Sequence, residues 1–217
     1  MPAWRFFGVL LLTLGFVAES LGASPGLSRS QALKALGDAS ATRRASAIDR
    51  LAEIGTMADT DVLVLRLRDS DENVRELAAM AMWLIWGRSG DRKIDRLYQR
   101  GVDQMRDGDL PAALATFSAV VRRKPAFAEG WNKRATVLYL MDQDEASLRD
   151  CDEVLKRNRH HFGALSGMAQ IHLRRGDPER ALAAYQRALE VNPNLDGGPE
   201  MLQFLQDAVR SRAGQRA

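Results

Sequence analysis

The 217-residue sequence is poor in the side chains that cofactor and metal sites need. Its single cysteine, Cys151, excludes an intramolecular disulfide and every multi-cysteine zinc or iron–sulfur motif. Of its three histidines, His160 and His161 are neighbours on a predicted loop, and His172 lies on a predicted helix. This spacing does not favour a shared metal ion. No glycine-rich phosphate loop follows a predicted strand, so the sequence predicts no cofactor, no metal and no enzyme.

An excess of one charge is also missing. Lys and Arg number 31 and Asp and Glu number 28, and both signs are mixed along the chain. A nucleic-acid-binding protein needs a concentrated basic face, so we expect no nucleic-acid partner. The apolar residues make up 46% of the chain, which is enough to build a globular core.

Long apolar runs are absent, and the one short run lies near the N terminus. Arg5 precedes an apolar stretch from Phe6 to Val17, and the residues that follow as far as Ala23 are mostly small. A membrane span needs roughly 20 apolar residues, so this pattern favours a secretory signal peptide over a retained anchor. The sequence therefore predicts a signal peptide over residues 1–23, cleaved near Gly22 or Ala23. It also predicts export to the bacterial periplasm or cell envelope, with no stable membrane insertion after cleavage.

From Ile94 onward the sequence repeats with a period of 34 residues. Small residues recur at the eighth and twentieth positions, and large ones at the fourth and twenty-fourth. Alternation of small and large groups is typical of packed helical hairpins. The recurring sets are Gly101, Ala135 and Ala169; Ala113, Ser147 and Ala181; Leu97, Trp131 and Leu165; and Phe117, Cys151 and Tyr185.

These residues resemble the tetratricopeptide repeat (TPR), in three copies over 94–127, 128–161 and 162–195. The turns Gly108-Asp109 and Gly176-Asp177 fit the pattern, because each Asp can cap the following helix. The second repeat has Asp142-Gln143 there, and we expect its packing to be looser. A loop and a capping helix with its tail are predicted over 196–217. The resemblance implies an all-α fold, a right-handed α-solenoid of helical hairpins.

A second period, of 31 residues, occupies the region 24–93. It pairs Asp38 with Asp69 and Arg44 with Arg75, and predicts two helical hairpins. The Asp-to-Arg interval of six resembles the HEAT repeat, in which such residues tie adjacent turns together. Two copies are too few for an independent solenoid. We therefore expect the HEAT-like pair to dock on the TPR array, with Trp83 and Trp86 near the junction.

The TPR resemblance implies a concave groove, lined by the first helix of each repeat, that receives an extended peptide or a partner's helix. Tyr139 and Arg174 are expected to make its strongest contacts, and neither occupies a packing position of the repeat. The carboxylate clamp of some family members is absent, because Tyr98 and Val102 stand where those members have Lys and Asn. The predicted partner-binding residues are Tyr98, Arg106, Asn132, Thr136, Tyr139, Ser166, Gln170 and Arg174.

The sequence thus predicts an exported TPR protein–protein interaction module or scaffold. The alternative is a structural accessory subunit of a cell-envelope enzyme or assembly complex, without a groove ligand. A hydrolase would need a nucleophile beside a base, and Cys151 instead occupies a packing position of the repeat, where a buried thiol is inert.

Overall fold

The computed structural model describes residues 26–216, so the predicted signal peptide lies outside the described residues. The described part is all-helical and contains no strand. Its helices are α1 (Arg29–Ala35), α2 (Ala41–Ile54), α3 (Thr60–Arg66, after a 3-10 turn at Met57–Asp59), α4 (Glu72–Trp86), α5 (Arg92–Arg106), α6 (Leu110–Arg123), α7 (Ala128–Leu140), α8 (Asp144–Arg157), α9 (Phe162–Arg174), α10 (Pro178–Val191) and α11 (Gly198–Arg216).

The turns inside the three repeats follow the predicted chemistry. Gly108 and Gly176 have φ of 81° and 70°, the left-handed region that glycine enters without a steric penalty. Asp109 and Asp177 then cap α6 and α10 by accepting hydrogen bonds from backbone N–H groups in the first turn. In the second repeat, Asp142 adopts the same conformation, with φ of 57°. The turn geometry is therefore retained where the glycine is not.

The small residues of the 34-residue period lie where helices touch. Ala135 and Ala169 are buried, and a Cβ added to Gly101 would lie 2.8 Å from the Phe117 ring. A larger side chain at these positions would push the two helices of a hairpin apart. At the C-terminal end, α11 covers the last hairpin with the fully buried Leu205, which packs on Tyr185 and its neighbours. The helix α11 therefore caps the array.

The four N-terminal helices form two hairpins joined by arginine contacts. Arg44 donates to both carboxylate oxygens of Asp69, at 2.9 and 2.6 Å, and also to the carbonyl of Asp38 at 2.9 Å. Arg75 makes the equivalent carbonyl contact in the second hairpin, donating to the Asp69 carbonyl at 3.0 Å. Each arginine thus returns to the turn six residues before it. The relation of this pair to the HEAT family stays a prediction.

The hairpins α1–α4 dock on one edge of the repeat array, where its inter-repeat loops lie. Trp86 stacks on His161 with ring centroids 4.6 Å apart, and Trp83 meets Phe162 edge-on at 5.2 Å. Further along the same edge, Asn194 Nδ2 donates to the Leu67 carbonyl at 2.6 Å. In the sequence, α4 is followed by the first repeat. In the structure, α4 packs on the loop that precedes the third repeat. Both tryptophans therefore lie at the junction, as the sequence predicts.

We expect the substitution Ala135→Leu to destabilise the protein by about 1–3 kcal/mol, because the added atoms overpack the contact between α7 and α8. The matched substitution Ala183→Leu on the exposed side of α10 should change stability by less than about 0.5 kcal/mol. Urea unfolding of both variants measures the difference. Equal effects would show that the 34-residue register is wrongly assigned.

Candidate functional site

The concave side of the array contains a small cleft between α7 and α9, about 40 Å³ in volume. Two glycines on α9 set its limits. A Cβ added to Gly163 would lie 2.5 Å from Trp83 Cη2, whereas a Cβ added to Gly167 would meet nothing within 4 Å. The cleft is therefore closed by Trp83 at one end and open beside Gly167. Of the predicted groove residues, those that line it are Asn132, Thr136, Tyr139 and Gln170.

Arg174 lies at the open end of the concave face, where it is held by α7 and the start of α8. Its guanidinium lies 3.9 Å from the centre of the Tyr139 ring and donates to Asp142 Oδ1 at 2.9 Å. It also donates to both oxygens of Asp144 and to the Tyr139 carbonyl. Although neither residue occupies a packing position of the repeat, Tyr139 and Arg174 are therefore already engaged within the protein. Together they link the second repeat to the third.

The remaining predicted residues lie outside the cleft. Tyr98 packs edge-on against Phe117 and Phe127, with ring centroids 5.9 and 5.5 Å away. Arg106 pairs with Asp103 at 3.0 Å, at the far end of α5. Ser166 is half-buried on α9, one residue before Gly167. The structure therefore brings together only part of the predicted groove.

A buried carboxylate, Glu129, occupies the closed end of the concave face. It is 2% exposed and accepts hydrogen bonds from His161 Nε2 at 2.8 Å and from Asn132 Nδ2 at 3.1 Å. The Tyr98 hydroxyl donates to it at 3.4 Å, and Lys133 Nζ lies 3.4 Å away. Burial raises the pKa of Glu129, but the Lys133 charge and the hydrogen bonds outweigh burial and lower this pKa to about 2. The carboxylate is thus ionised and satisfied inside the protein.

Each nitrogen of the buried His161 ring takes part in one hydrogen bond. Its Nδ1 accepts a hydrogen bond from the Ala164 backbone N–H at 3.0 Å, which caps the start of α9. In the neutral ring the proton is then on Nε2, which donates it to Glu129. Stacking on Trp86 fixes the plane of the ring. The sequence did not point to this contact, because histidine is not among the side chains preferred at helix N-caps.

No other group in the described residues offers evident chemistry. Burial raises the pKa of the Cys151 thiol to about 12, so the thiol is unreactive near neutral pH. Burial also lowers the pKa of His172. Within residues 26–216 there is no cluster of His, Cys, Asp and Glu able to hold a metal ion. The same part of the chain contains no helix with the length and apolarity to cross a membrane.

Comparison with known proteins agrees with the helical repeats. Models of the tetratricopeptide repeat match residues 98–147 and 163–195. A TPR repeat-containing protein of Rhizobium etli is 33% identical over 149 residues, which are 69% of this chain and 72% of the relative. The chain belongs to the TPR family. Because only 124 residues follow position 93, the alignment also includes part of the region before the TPR array.

Solved TPR structures share the fold at low sequence identity. The first TPR domain of Spaghetti (RPAP3), bound to an HSP90 peptide, superposes with a TM-score of 0.53 at 20% identity, covering 55% of this chain and 94% of that one. The TPR domain of Sgt2 from Aspergillus fumigatus gives 0.53 at 18% identity, covering 58% and 84%. The MamA protein gives 0.52 at 14% identity, covering 72% and 86%. The MamA superposition also extends beyond the three TPRs.

The buried carboxylate predicts a defined acid sensitivity. Because the pKa of Glu129 falls from 4.5 to about 2 on folding, its stabilising effect is present above pH 4.5 and is lost as the pH falls toward 2. The variant Glu129→Gln should be less stable at neutral pH and should lose less stability over this interval than the unmodified protein. Guanidinium unfolding at a series of pH values measures both effects. The control Glu76→Gln, at an exposed site on α4, should leave the pH profile unchanged.

Proposed function

We propose that the chain is an exported TPR interaction module that binds an extended peptide, or an extended segment of a partner protein, in the cleft between α7 and α9. The observation that carries this proposal is the open space beside Gly167, where no side chain keeps a ligand from approaching the helix backbone. Hydroxyl and amide groups line the same cleft. Such groups suit hydrogen bonding to a peptide main chain.

Some polar side chains at the cleft already form hydrogen bonds within the protein, and others do not. The Thr136 hydroxyl donates to the Asn132 carbonyl at 3.0 Å, and the Asn132 amide is bonded to Glu129. Within the described residues, no such bond is made by the side chain of Gln170, which lines the cleft, or by that of Ser166, which lies just outside it. We expect these two side chains to provide the hydrogen bonds to a ligand, and Tyr139 to provide apolar contact area.

The TPR domain of Spaghetti is bound to a peptide in its solved structure, which supports a peptide as the ligand here. The closed end of this groove differs from a site for an acidic C terminus. Tyr98, in the place that clamp-forming members fill with Lys, faces the Glu129 carboxylate. A ligand carboxylate placed there would meet like charge, so the proposed ligand is an internal segment or a neutral one.

Filling the open space should block binding without damaging the fold. We expect Gly167→Leu to leave the melting temperature unchanged or higher, because leucine is a better helix former than glycine by roughly 0.5–1 kcal/mol. Recovery of the cognate partner in a crosslinking pull-down from the envelope fraction should fall at least tenfold, about 1.4 kcal/mol.

Gly214 offers a matched control, since it is helical, exposed and has no neighbour within 4 Å of an added Cβ. Gly214→Leu should leave partner recovery unchanged. If Gly167→Leu retains full recovery while remaining folded, the cleft is not the binding site.

An accessory subunit is the second candidate function, and a different surface favours it. Met80, Trp83 and Leu84 form an exposed apolar stripe on α4, beside the closed end of the groove. An apolar stripe of this kind is covered by a partner in many assemblies. Native mass spectrometry of the purified protein distinguishes the two candidates, because a structural subunit is isolated with a stoichiometric partner.

Export rests on the pattern of residues 1–23 and has a direct test. We expect the intact mass of the protein recovered from an expressing bacterium to correspond to cleavage near Gly22 or Ala23. A mass that still includes Met1 to Val17 would contradict cleavage and favour an anchored form.

A further inference from the structure

The outer face of the first TPR hairpin carries positive charge without internal partners. Between positions 92 and 124 there are eight basic and four acidic residues, and α6 contains no acidic residue. Within the described residues, seven of the eight basic side chains take part in no ion pair; only Arg106 does. We call these seven the basic face: Arg92, Lys93, Arg96, Arg100, Arg122, Arg123 and Lys124.

Two helices bring these side chains together. Arg92, Arg96 and Arg100 recur every four residues and therefore lie along one side of α5. Because α6 returns antiparallel to α5, its last turn lies beside the first turn of α5. Lys124 is at this contact, with Nζ 4.0 Å from the position of a Cβ on Gly90. The basic face thus extends over the end of the array opposite α11.

The acidic residues nearby are already engaged. Asp91 caps α5 by accepting from the N–H groups of Lys93 and Ile94. Asp95 accepts from the Ser89 N–H at 2.8 Å, and Asp103 pairs with Arg106. None of them forms a salt bridge with the basic face. Asp91 attracts Lys93 and Lys124 electrostatically, but the seven cations outnumber it, so the face retains a net positive charge.

The end of a solenoid must be polar for the protein to be soluble, but its charges need not all have the same sign. The other end shows this, because α11 mixes both signs and pairs Asp207 with Arg210. Like charges four residues apart destabilise a helix. The spacing of Arg92, Arg96 and Arg100 therefore has an unfavourable free-energy contribution that solubility alone does not explain, and a bound anionic surface would offset it.

The side chains of the basic face favour one class of anionic partner over the others. No large apolar side chain of α5 or α6 is exposed, whereas protein interfaces depend on buried aromatic and apolar anchors. No aromatic ring is exposed on these helices to stack with the bases of a single-stranded nucleic acid. A layer of acidic lipid headgroups needs neither, because cations near its surface are sufficient for attraction.

We infer that the basic face binds the surface of an anionic phospholipid bilayer and orients the first TPR hairpin toward it. The protein then associates peripherally, through headgroups alone. The cleft between α7 and α9 is formed by the second and third repeats, so it is separate from the basic face. The inference does not depend on a peptide ligand in the cleft, and the two can fail separately.

The test uses the purified full chain and vesicles of phosphatidylcholine in which one lipid in three is phosphatidylglycerol. We expect cosedimentation with these vesicles at low salt and its loss at high salt, because salt screens the attraction. Vesicles of phosphatidylcholine alone report any binding through the apolar segment Phe6 to Val17, which needs no lipid charge. The double variant Arg96→Gln/Arg100→Gln should reduce the charge-dependent binding by about tenfold or more.

The matched control is Arg149→Gln/Arg187→Gln, which removes the same charge from exposed arginines of the second and third repeats. It should retain binding, and no variant should have a lower melting temperature than the unmodified protein. Equal losses in both double variants would show that net charge alone acts, and would overturn the assignment. Absence of charge-dependent binding, or tighter binding to duplex DNA or polyglutamate than to the acidic vesicles, would also overturn it.

Discussion

The hydrogen bond between His161 and Glu129 is the contact on which the arrangement of this protein depends. It joins α7 to the loop before α9, and the same imidazole caps α9 and stacks on Trp86 of α4. An ionised carboxylate without donors would be expensive to bury. Here Lys133, Asn132 and His161 surround it, so burial is tolerated. Removing any donor would leave the buried carboxylate less well satisfied, and removing the histidine would weaken helix capping and docking as well.

This contact also determines the shape of the concave face. Docking places Trp83 over Gly163, where any larger residue would meet the indole ring. At the other end, Arg174 crosses from α9 to the carboxylates at the start of the second helix of the preceding repeat. The groove of three repeats is thereby shortened to a cleft around Gly167. A cleft of about 40 Å³ accommodates no more than one small group of a ligand, so partner selection there would rest on few contacts.

Periodicity was sufficient to predict most of the fold. The positions of Gly101 and Ala135, and the turns at Gly108 and Gly176, follow from local chemistry that recurs every 34 residues, and the structure confirms them. The site was less predictable, because its contacts join residues far apart in sequence. Trp83 and Gly163 are 80 positions apart, and no pattern in the chain links them. The near balance of charge over the whole chain also concealed the basic face, since it averages the cations of α5 and α6 with the acidic residues of α8.

The second repeat shows why departures from a repeat pattern are informative. Its sequence predicted looser packing, but two of its substitutions have acquired partners. Ser147, in place of alanine, donates to the Ala135 carbonyl at 2.7 Å, and Asp142, in place of glycine, accepts from Arg174. Asp142 keeps a left-handed backbone that is less favourable for an aspartate than for glycine. Its ion pair with Arg174 depends on the side chain that glycine lacks. The consensus residues build the solenoid, whereas Ser147 ties the two helices of its own repeat together and Asp142 joins the second repeat to the third.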